Sequence, residues 1–158
     1  MDENRLNPIY QKIAETVVET IPESWSKVFI YGEILEDVQK GFFYYYPEGQ
    51  DEPMYCHNIP DVFEVDEDEY DDLWDQLIEN LKELWYEFKN SDQEPWTSVT
   101  MMIQSDGEFK IDYDYEDLSE ANDHIRKIIW KYKNLGLQPE HEADKEYLKE
   151  YLESNKDE

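Results

Sequence analysis

Hydrophobic residues near the start of the chain recur every three or four positions, which is the spacing of one face of an α-helix. The residues on this face are Leu6, Tyr10, Ile13, Val17 and Ile21. Asn7 is a suitable N-cap with Pro8 at the first helical position, and Pro22 ends the segment. The pattern therefore predicts a first helix that starts at Asn7 and stops at Pro22.

The residues that follow change to a strand pattern. Segments 25–36, 41–46 and 54–59 are rich in β-branched and aromatic residues, and turn residues separate them. Because the connections are too short for crossovers between parallel strands, the three segments predict an antiparallel meander.

A long amphipathic helix comes next. Val65, Asp66, Glu69 and Tyr70 have the layout of a capping box with a hydrophobic staple, in which Asp66 is the N-cap. The apolar positions behind it continue for five turns: Tyr70, Leu73, Trp74, Leu77, Leu81, Leu84, Trp85 and Phe88. A face this broad needs an apolar partner, and the sheet is the obvious one.

Segments 97–105 and 108–115 predict a β-hairpin. A two-residue Asp106-Gly107 turn would mix apolar and acidic side chains on one face. A loop of residues 105–107, with Gly107 left-handed, instead pairs Ile103 with Phe109, Met101 with Ile111 and Val99 with Tyr113. This register points Asp112, Asp114 and Glu116 together to the opposite face.

The C-terminal part predicts two more helices. Ile125, Ile128, Ile129, Tyr132 and Leu135 mark the first, which ends at Gly136 and Pro139. Leu148, Tyr151 and Leu152 mark the second, over about residues 141–152, and residues 154–158 are expected to fray. The full prediction is a single α+β domain over residues 1–158. Its antiparallel sheet has about five strands, a three-stranded meander plus a hairpin, packed against the long helix, with further helices at both termini.

The charge of the chain points to its partner. The sequence has 41 acidic and 14 basic residues, a net charge of −27, whereas solubility needs only ~2–8 charges. An aromatic content of 15% favours a folded protein, because buried aromatic side chains stabilise the core. Repulsion between the acidic residues destabilises the folded state, most strongly at low salt. No apolar run is long enough for a membrane span, and lipid or nucleic acid phosphate would repel the surface. We therefore expect a cytoplasmic protein that binds a cationic partner, with no direct contact to nucleic acid or membrane.

Two acidic surfaces are candidate contacts. The helix stripe consists of Asp72, Asp75 and Glu79, continued by Glu83, and the strand row consists of Asp112, Asp114, Glu116 and Asp117. Alternate residues of a strand lie ~6.6–6.8 Å apart, a spacing similar to that of successive phosphates on DNA. Two plain alternatives stay open: the stripe is a solvated helix face, and the row protects an edge strand.

The sequence gives little indication of catalysis or of a cofactor. Cys56 and His57 are neighbours on a predicted strand, so they should point to opposite faces and form no dyad. Phosphate loops, nucleophile elbows and zinc-type histidine spacing are absent. We predict no enzyme, no cofactor and no small-molecule substrate, with a carboxylate enzyme or a weak calcium site at Asp112 and Asp114 as a minor alternative. The basic stretch 124–133 around Trp130 resembles a nucleic-acid stripe, but pairing with the protein's own acids is favoured.

Four segments resemble a known family: IPESWSKV at 21–28, EPWTS at 94–98, SDGEFKIDYDY at 105–115 and WKYK at 130–133. Together with the order of elements over about residues 6–137, they are similar to the YezG-like immunity proteins of Gram-positive bacteria. The resemblance implies a cytoplasmic antitoxin that binds the C-terminal nuclease domain of an LXG-type or related toxin, exported by type VII secretion. It implies no catalytic residue.

A nuclease must present a cationic groove to phosphates, so an acidic protein can fill that groove. The leading hypothesis is an immunity protein that neutralises a nuclease through a phosphate-mimicking surface. Its contact residues would be Asp112, Asp114, Glu116 and Asp117 first, and Asp72, Asp75 and Glu79 second. The alternative is an acidic DNA-mimic regulator of a host nucleic-acid-binding protein.

Overall fold

The computed structural model describes residues 3–117 and 122–154. Five strands form one antiparallel sheet in the order β3-β2-β1-β4-β5: β1 Trp25–Ile34, β2 Gln39–Pro47, β3 Met54–Tyr55, β4 Ser98–Gln104 and β5 Phe109–Asp114. The α-helices within these ranges are α1 Glu3–Thr20, α2 Ile59–Val62, α3 Glu67–Asn90, α4 Asp123–Leu135 and α5 Glu142–Ser154. The predicted α+β class, with a meander joined to a hairpin, is confirmed.

The chain divides into two compact units between Glu116 and Asp117. The first unit holds α1, α2, α3 and the sheet, and the second holds α4 and α5. The expectation that the whole chain forms one domain stays a prediction.

The main core lies between one face of the sheet and the two long helices, α1 and α3. Alternate residues of β1, β2 and β4 point into it: Val28, Ile30, Ile34, Phe43, Tyr45, Val99, Met101 and Ile103. From α3 come Leu77, Leu81 and Leu84, all at most 1% exposed. This arrangement confirms that the amphipathic helix packs against the sheet.

A pair of glycines lets α3 approach the sheet closely. Gly32 of β1 and Gly41 of β2 are direct cross-strand partners, and a Cβ at either position would lie within about 3 Å of Leu81 methyl carbons. Trp74 adds a hydrogen bond from its indole nitrogen to the Gly41 carbonyl oxygen at 3.2 Å. Because neither glycine has a side chain, the sheet has a notch at this position, and Leu81 of α3 packs into it.

The start of α1 was predicted wrongly. The helix already includes Glu3, so Pro8 lies inside it instead of at its first position. Leu6 and Ile9 are buried in the core, and their burial favours one more helical turn before the proline. Pro8 is the sixth residue of the helix, so the helix lacks the hydrogen bond that an N–H at this position would donate to the Asn4 carbonyl oxygen.

The third strand is shorter than predicted. It ends at Tyr55, after which Cys56–Asn58 form a 3-10 turn and Ile59 begins α2. Pro60 explains the change, since it has no N–H for a strand ladder and suits the start of a helix. The prediction that Cys56 and His57 are neighbours on a strand is therefore wrong.

The hairpin register agrees with the prediction. Val99 pairs with Tyr113, Met101 with Ile111 and Ile103 with Phe109. Gly107 has a φ of +93°, as the three-residue loop requires.

The caps of α3 and α4 were also predicted from the sequence. The Asp66 carboxylate accepts hydrogen bonds from the N–H groups of Asp68 and Glu69, and Gly136 ends α4 with a φ of +67°. The last residue of α5 is Ser154; residues 155–158, part of the stretch expected to fray, lie outside the described residues.

Candidate partner-binding surfaces

The strand row begins on β5, where the hairpin register places its first two members. Asp112 pairs with Thr100 and Asp114 with Ser98; both aspartates are exposed, on the face opposite α1 and α3. Neither forms an ion pair with a Lys, Arg or His of the described residues. Their charges are therefore available to an external cation.

Tyr113, between the two aspartates, fixes this part of β5 to the core. Its hydroxyl forms a hydrogen bond with the Tyr10 hydroxyl, and its ring lies 4.9 Å from the Phe88 ring, centroid to centroid. Burial, and next the bond to Tyr10, raise the pKa of Tyr113 above its ordinary value, so it stays a neutral donor or acceptor at physiological pH. The contacts of Tyr113 thus hold in place the part of β5 that carries Asp112 and Asp114.

The other two members of the row lie beyond the end of β5. Glu116 and Asp117 are exposed. The Asp114 carboxylate accepts a hydrogen bond from the Glu116 N–H at 2.8 Å, so Glu116 stays next to Asp114 although the strand has ended. Asp117 belongs to the second unit. Strand alternation alone therefore brings together only Asp112 and Asp114.

The helix stripe is exposed along its length but differs between its two ends. Glu79 pairs with Lys82 at 3.4 Å, and Glu83 pairs with Lys12 of α1 at 3.2 Å. Asp72 and Asp75 form no ion pair with any described residue. The first half of α3 therefore presents uncompensated charge, whereas the second half is partly neutralised.

A polar groove of about 520 Å³ lies beside the stripe, between α1 and α3. Glu79 and Glu83 border it, and Asn80 is buried next to it. The Asn80 amide donates to the Thr16 hydroxyl at 3.0 Å and to the Lys12 carbonyl oxygen at 3.3 Å. These bonds satisfy Asn80 internally, so its role is to join the two helices.

Cys56 and His57 have structural partners. The Cys56 thiol is fully buried and accepts a hydrogen bond from the Phe43 N–H at 3.5 Å. The Nδ1 of His57 lies 2.8 Å from the Tyr70 hydroxyl, which donates to the Cys56 carbonyl oxygen. The pair therefore links the turn after β3 to the start of α3.

An aromatic cluster on the sheet face opposite α1 and α3, here called the outer aromatic cluster, was not predicted from the sequence. The paired rings lie 4.9–6.3 Å apart, centroid to centroid; Tyr31 and Phe42 are stacked, and the other pairs are tilted or edge-to-face. The members are Phe29, Tyr31, Phe42, Tyr44, Tyr46 and Tyr55. Glu33 is buried beside it and accepts a hydrogen bond from the Tyr31 hydroxyl at 2.8 Å. The signal was present in the unbroken run of residues 42–46, because a strand without alternation is typical of burial on both faces.

Other kinds of site find little support in residues 3–117 and 122–154. No group of three or more His, Cys, Asp or Glu side chains there is arranged to hold a metal ion. No helix in those ranges is long and apolar enough to cross a membrane. Trp130 is only 8% exposed, which removes the aromatic surface that a nucleic-acid stripe in the basic stretch would need.

Comparison with known proteins gives consistent matches over most of the chain. The family model for YezG-like immunity proteins matches residues 6–149. The chain is 42% identical over 157 residues to the immunity protein YezG of Bacillus spizizenii, covering 98% of both chains. It is 36% identical to YezG of Bacillus subtilis, covering 93% of this chain and 99% of that one. It is also 35% identical to the type VII secretion system protein EsaG of Staphylococcus aureus, covering 94% and 92%. These matches extend over nearly the whole chain, which therefore belongs to the YezG-like family of immunity proteins.

Proposed function

We propose that this protein binds and neutralises the nuclease domain of a cognate toxin in the cytoplasm of the cell that produces it. An immunity protein implies a toxin partner, and the relative EsaG is a protein of a type VII secretion system. Immunity proteins generally act by binding and not by catalysis, so no reaction is assigned to this chain. The proposal makes the toxin a secreted nuclease whose active site handles phosphates.

The observation that carries the proposal is the uncompensated charge of Asp112 and Asp114 on β5. Aspartate has a poor β propensity, and two like charges on one face of a strand repel each other. Local stability therefore gives no reason to place two aspartates there. A cationic groove that binds phosphates would bind this pair in the same way. Glu116 and Asp117 are proposed to extend the contact.

The helix stripe is the proposed second contact. Asp72 and Asp75 are exposed and form no ion pair with another described residue, and Glu79 follows them at helical spacing with Lys82 beside it. A toxin cation that approached Glu79 would compete with Lys82, so this residue should contribute less than the two aspartates.

The test begins with capture of the protein from its native cytoplasm and identification of the toxin that accompanies it. The double variant D112K/D114K is then compared with D51K/E52K, which makes the same charge change in the exposed loop before β3. Because surface charge acts mainly on association, we expect D112K/D114K to slow association at least tenfold and to release nuclease activity. D51K/E52K should inhibit almost as well as the unaltered chain.

Two results would contradict the proposal. Equal inhibition by both double variants would remove β5 as the contact, and D72K/D75K would then test the helix stripe. Capture of a nucleoid or transcription protein in place of a toxin would favour the DNA-mimic alternative.

A further inference from the structure

β5 is an exposed edge of the sheet. The strand order places β3 at one edge and β5 at the other, and β5 is the longer, with six residues against two. Among the described residues, no strand pairs with its outer side. An edge of this kind can accept a further strand through backbone hydrogen bonds.

The hydrogen-bond pattern shows which groups of β5 are available. The Gln104 N–H donates to the Glu108 carbonyl oxygen and the Thr97 N–H donates to the Asp114 carbonyl oxygen, so the even-numbered carbonyls point toward β4. Because antiparallel ladders alternate, the N–H and C=O groups of Phe109, Ile111 and Tyr113 point away from it. These three residues form a ready row of donors and acceptors.

The two faces of β5 differ in chemistry. On the face toward α1, Phe109 is 50% exposed and borders a groove of about 420 Å³ with Tyr10, Ala14 and Met101. A volume of this size corresponds to roughly 14 water molecules at ~30 Å³ each, so it admits a large side chain. On the other face lie Asp112 and Asp114, with Lys110 before them at the hairpin end of the strand. A strand beside β5 would therefore meet apolar surface on one face and carboxylates on the other.

We propose that the toxin adds a strand to β5, with alternate apolar and basic residues. Its apolar side chains enter the groove beside Phe109, and its Lys or Arg side chains meet Asp112 and Asp114. This inference rests on the proposed function and specifies how the toxin is recognised. A second copy of the chain is a poor occupant, because it carries the same charge of −27 and an equally acidic strand.

Hydrogen exchange of the captured complex tests the backbone part of this inference. In the free protein the amides of Phe109, Ile111 and Tyr113 should exchange quickly, whereas those of Lys110, Asp112 and Asp114 are protected by β4. In the complex all six should be protected. If the toxin binds and inhibits as proposed while the odd-numbered amides still exchange quickly, strand addition is wrong and the proposed function stands. If no toxin binds, both fail.

Variants test the apolar side of the same strand. F109E should weaken toxin binding about tenfold or more, since it puts a carboxylate where apolar side chains are proposed to bind, and aromatic residues such as phenylalanine are enriched at interfaces. Y147E introduces the same charge at a tyrosine of α5 that is 42% exposed, and it should bind normally. Equal binding by the two variants would overturn the groove contact, provided that thermal unfolding shows both to be folded.

Peptides give a measurement that does not depend on the toxin. A short peptide that alternates lysine and valine should protect the Phe109, Ile111 and Tyr113 amides, whereas a peptide with the same residues in two blocks should not. Equal protection by both peptides would show that the net charge of the peptide, and not its alternating pattern, causes the protection. That result would overturn the inference. Protection that appears in the free protein as its concentration rises would identify a second copy as the occupant and also overturn it.

Discussion

Asp66 determines where α3 begins, because its carboxylate accepts hydrogen bonds from two of the N–H groups that would otherwise have no partner. The residue before it, Val65, packs against the core, as a hydrophobic staple would. The start of the longest helix thus depends on a few atoms that the sequence alone identifies.

Replacing Asp66 should therefore destabilise the protein by a predictable amount. We expect D66A to lower the free energy of unfolding by about 1 kcal/mol, which is typical for the loss of an N-cap. D66N is the matched control, since asparagine caps nearly as well as aspartate. Urea unfolding of the three proteins measures the difference, and equal stability of D66A and D66N would contradict the assigned cap.

Residue-scale predictions succeeded where one side chain dictates a local conformation, as at Asp66, Gly107 and Gly136. They failed at Pro8, because local preference placed the proline at the helix start while burial of Leu6 and Ile9 extended the helix beyond it. A tertiary contact of this kind has no local signal.

At the scale of elements, the contact between α3 and the sheet depends on the notch at Gly32 and Gly41. A Cβ on Gly32 would lie 2.9 Å from both Leu81 methyl carbons and 3.2 Å from Val99 Cγ1. The helix can lie this close only because both strands lack a side chain there. The cost of a side chain at residue 32 should therefore depend on the size of residue 81, whereas a Cβ at residue 41 would also lie 2.9 Å from Ile78 Cδ1.

A double-mutant cycle measures that dependence. G32A alone should cost about 1–3 kcal/mol through overpacking, and L81A alone about 2–5 kcal/mol through the cavity it leaves. In the double variant the alanine at 32 no longer meets Leu81, so the total cost should be smaller than the sum by ~0.5–3 kcal/mol. Urea unfolding of the four proteins gives the coupling, and strictly additive costs would show that Gly32 and Leu81 act independently.

Sheet elements could be predicted where apolar and polar residues alternate. The β4–β5 register followed from this alternation, and with it the shared face of Asp112 and Asp114. The outer aromatic cluster could not be derived in the same way, since aromatic residues on both faces of β2 remove the alternation that defines register. The third strand was predicted too long because the helix that begins around Pro60 was not recognised. Glu116 and Asp117 were placed by extending the strand, and the strand ends before them.

At the scale of the whole molecule, a net charge of −27 has opposite effects on the free protein and on its complex. In the free protein like charges repel and destabilise the compact state. In the proposed complex the same charges attract the cationic groove of the toxin and speed its capture. Stability of the free chain and speed of binding should therefore respond to salt in opposite directions.

The last prediction follows from this opposition. Raising ionic strength from ~0.01 to ~0.15 M shortens the screening length from ~30 to ~8 Å, so thermal unfolding should shift to higher temperature while toxin association slows. The D51K/E52K variant, with four units less negative charge, should show a smaller thermal shift than the unaltered chain. Calorimetry and stopped-flow association on the same samples measure the two responses. An association rate that does not change with salt, alongside a normal thermal shift, would mean that the carboxylates affect only the free protein and that hydrophobic contact drives binding.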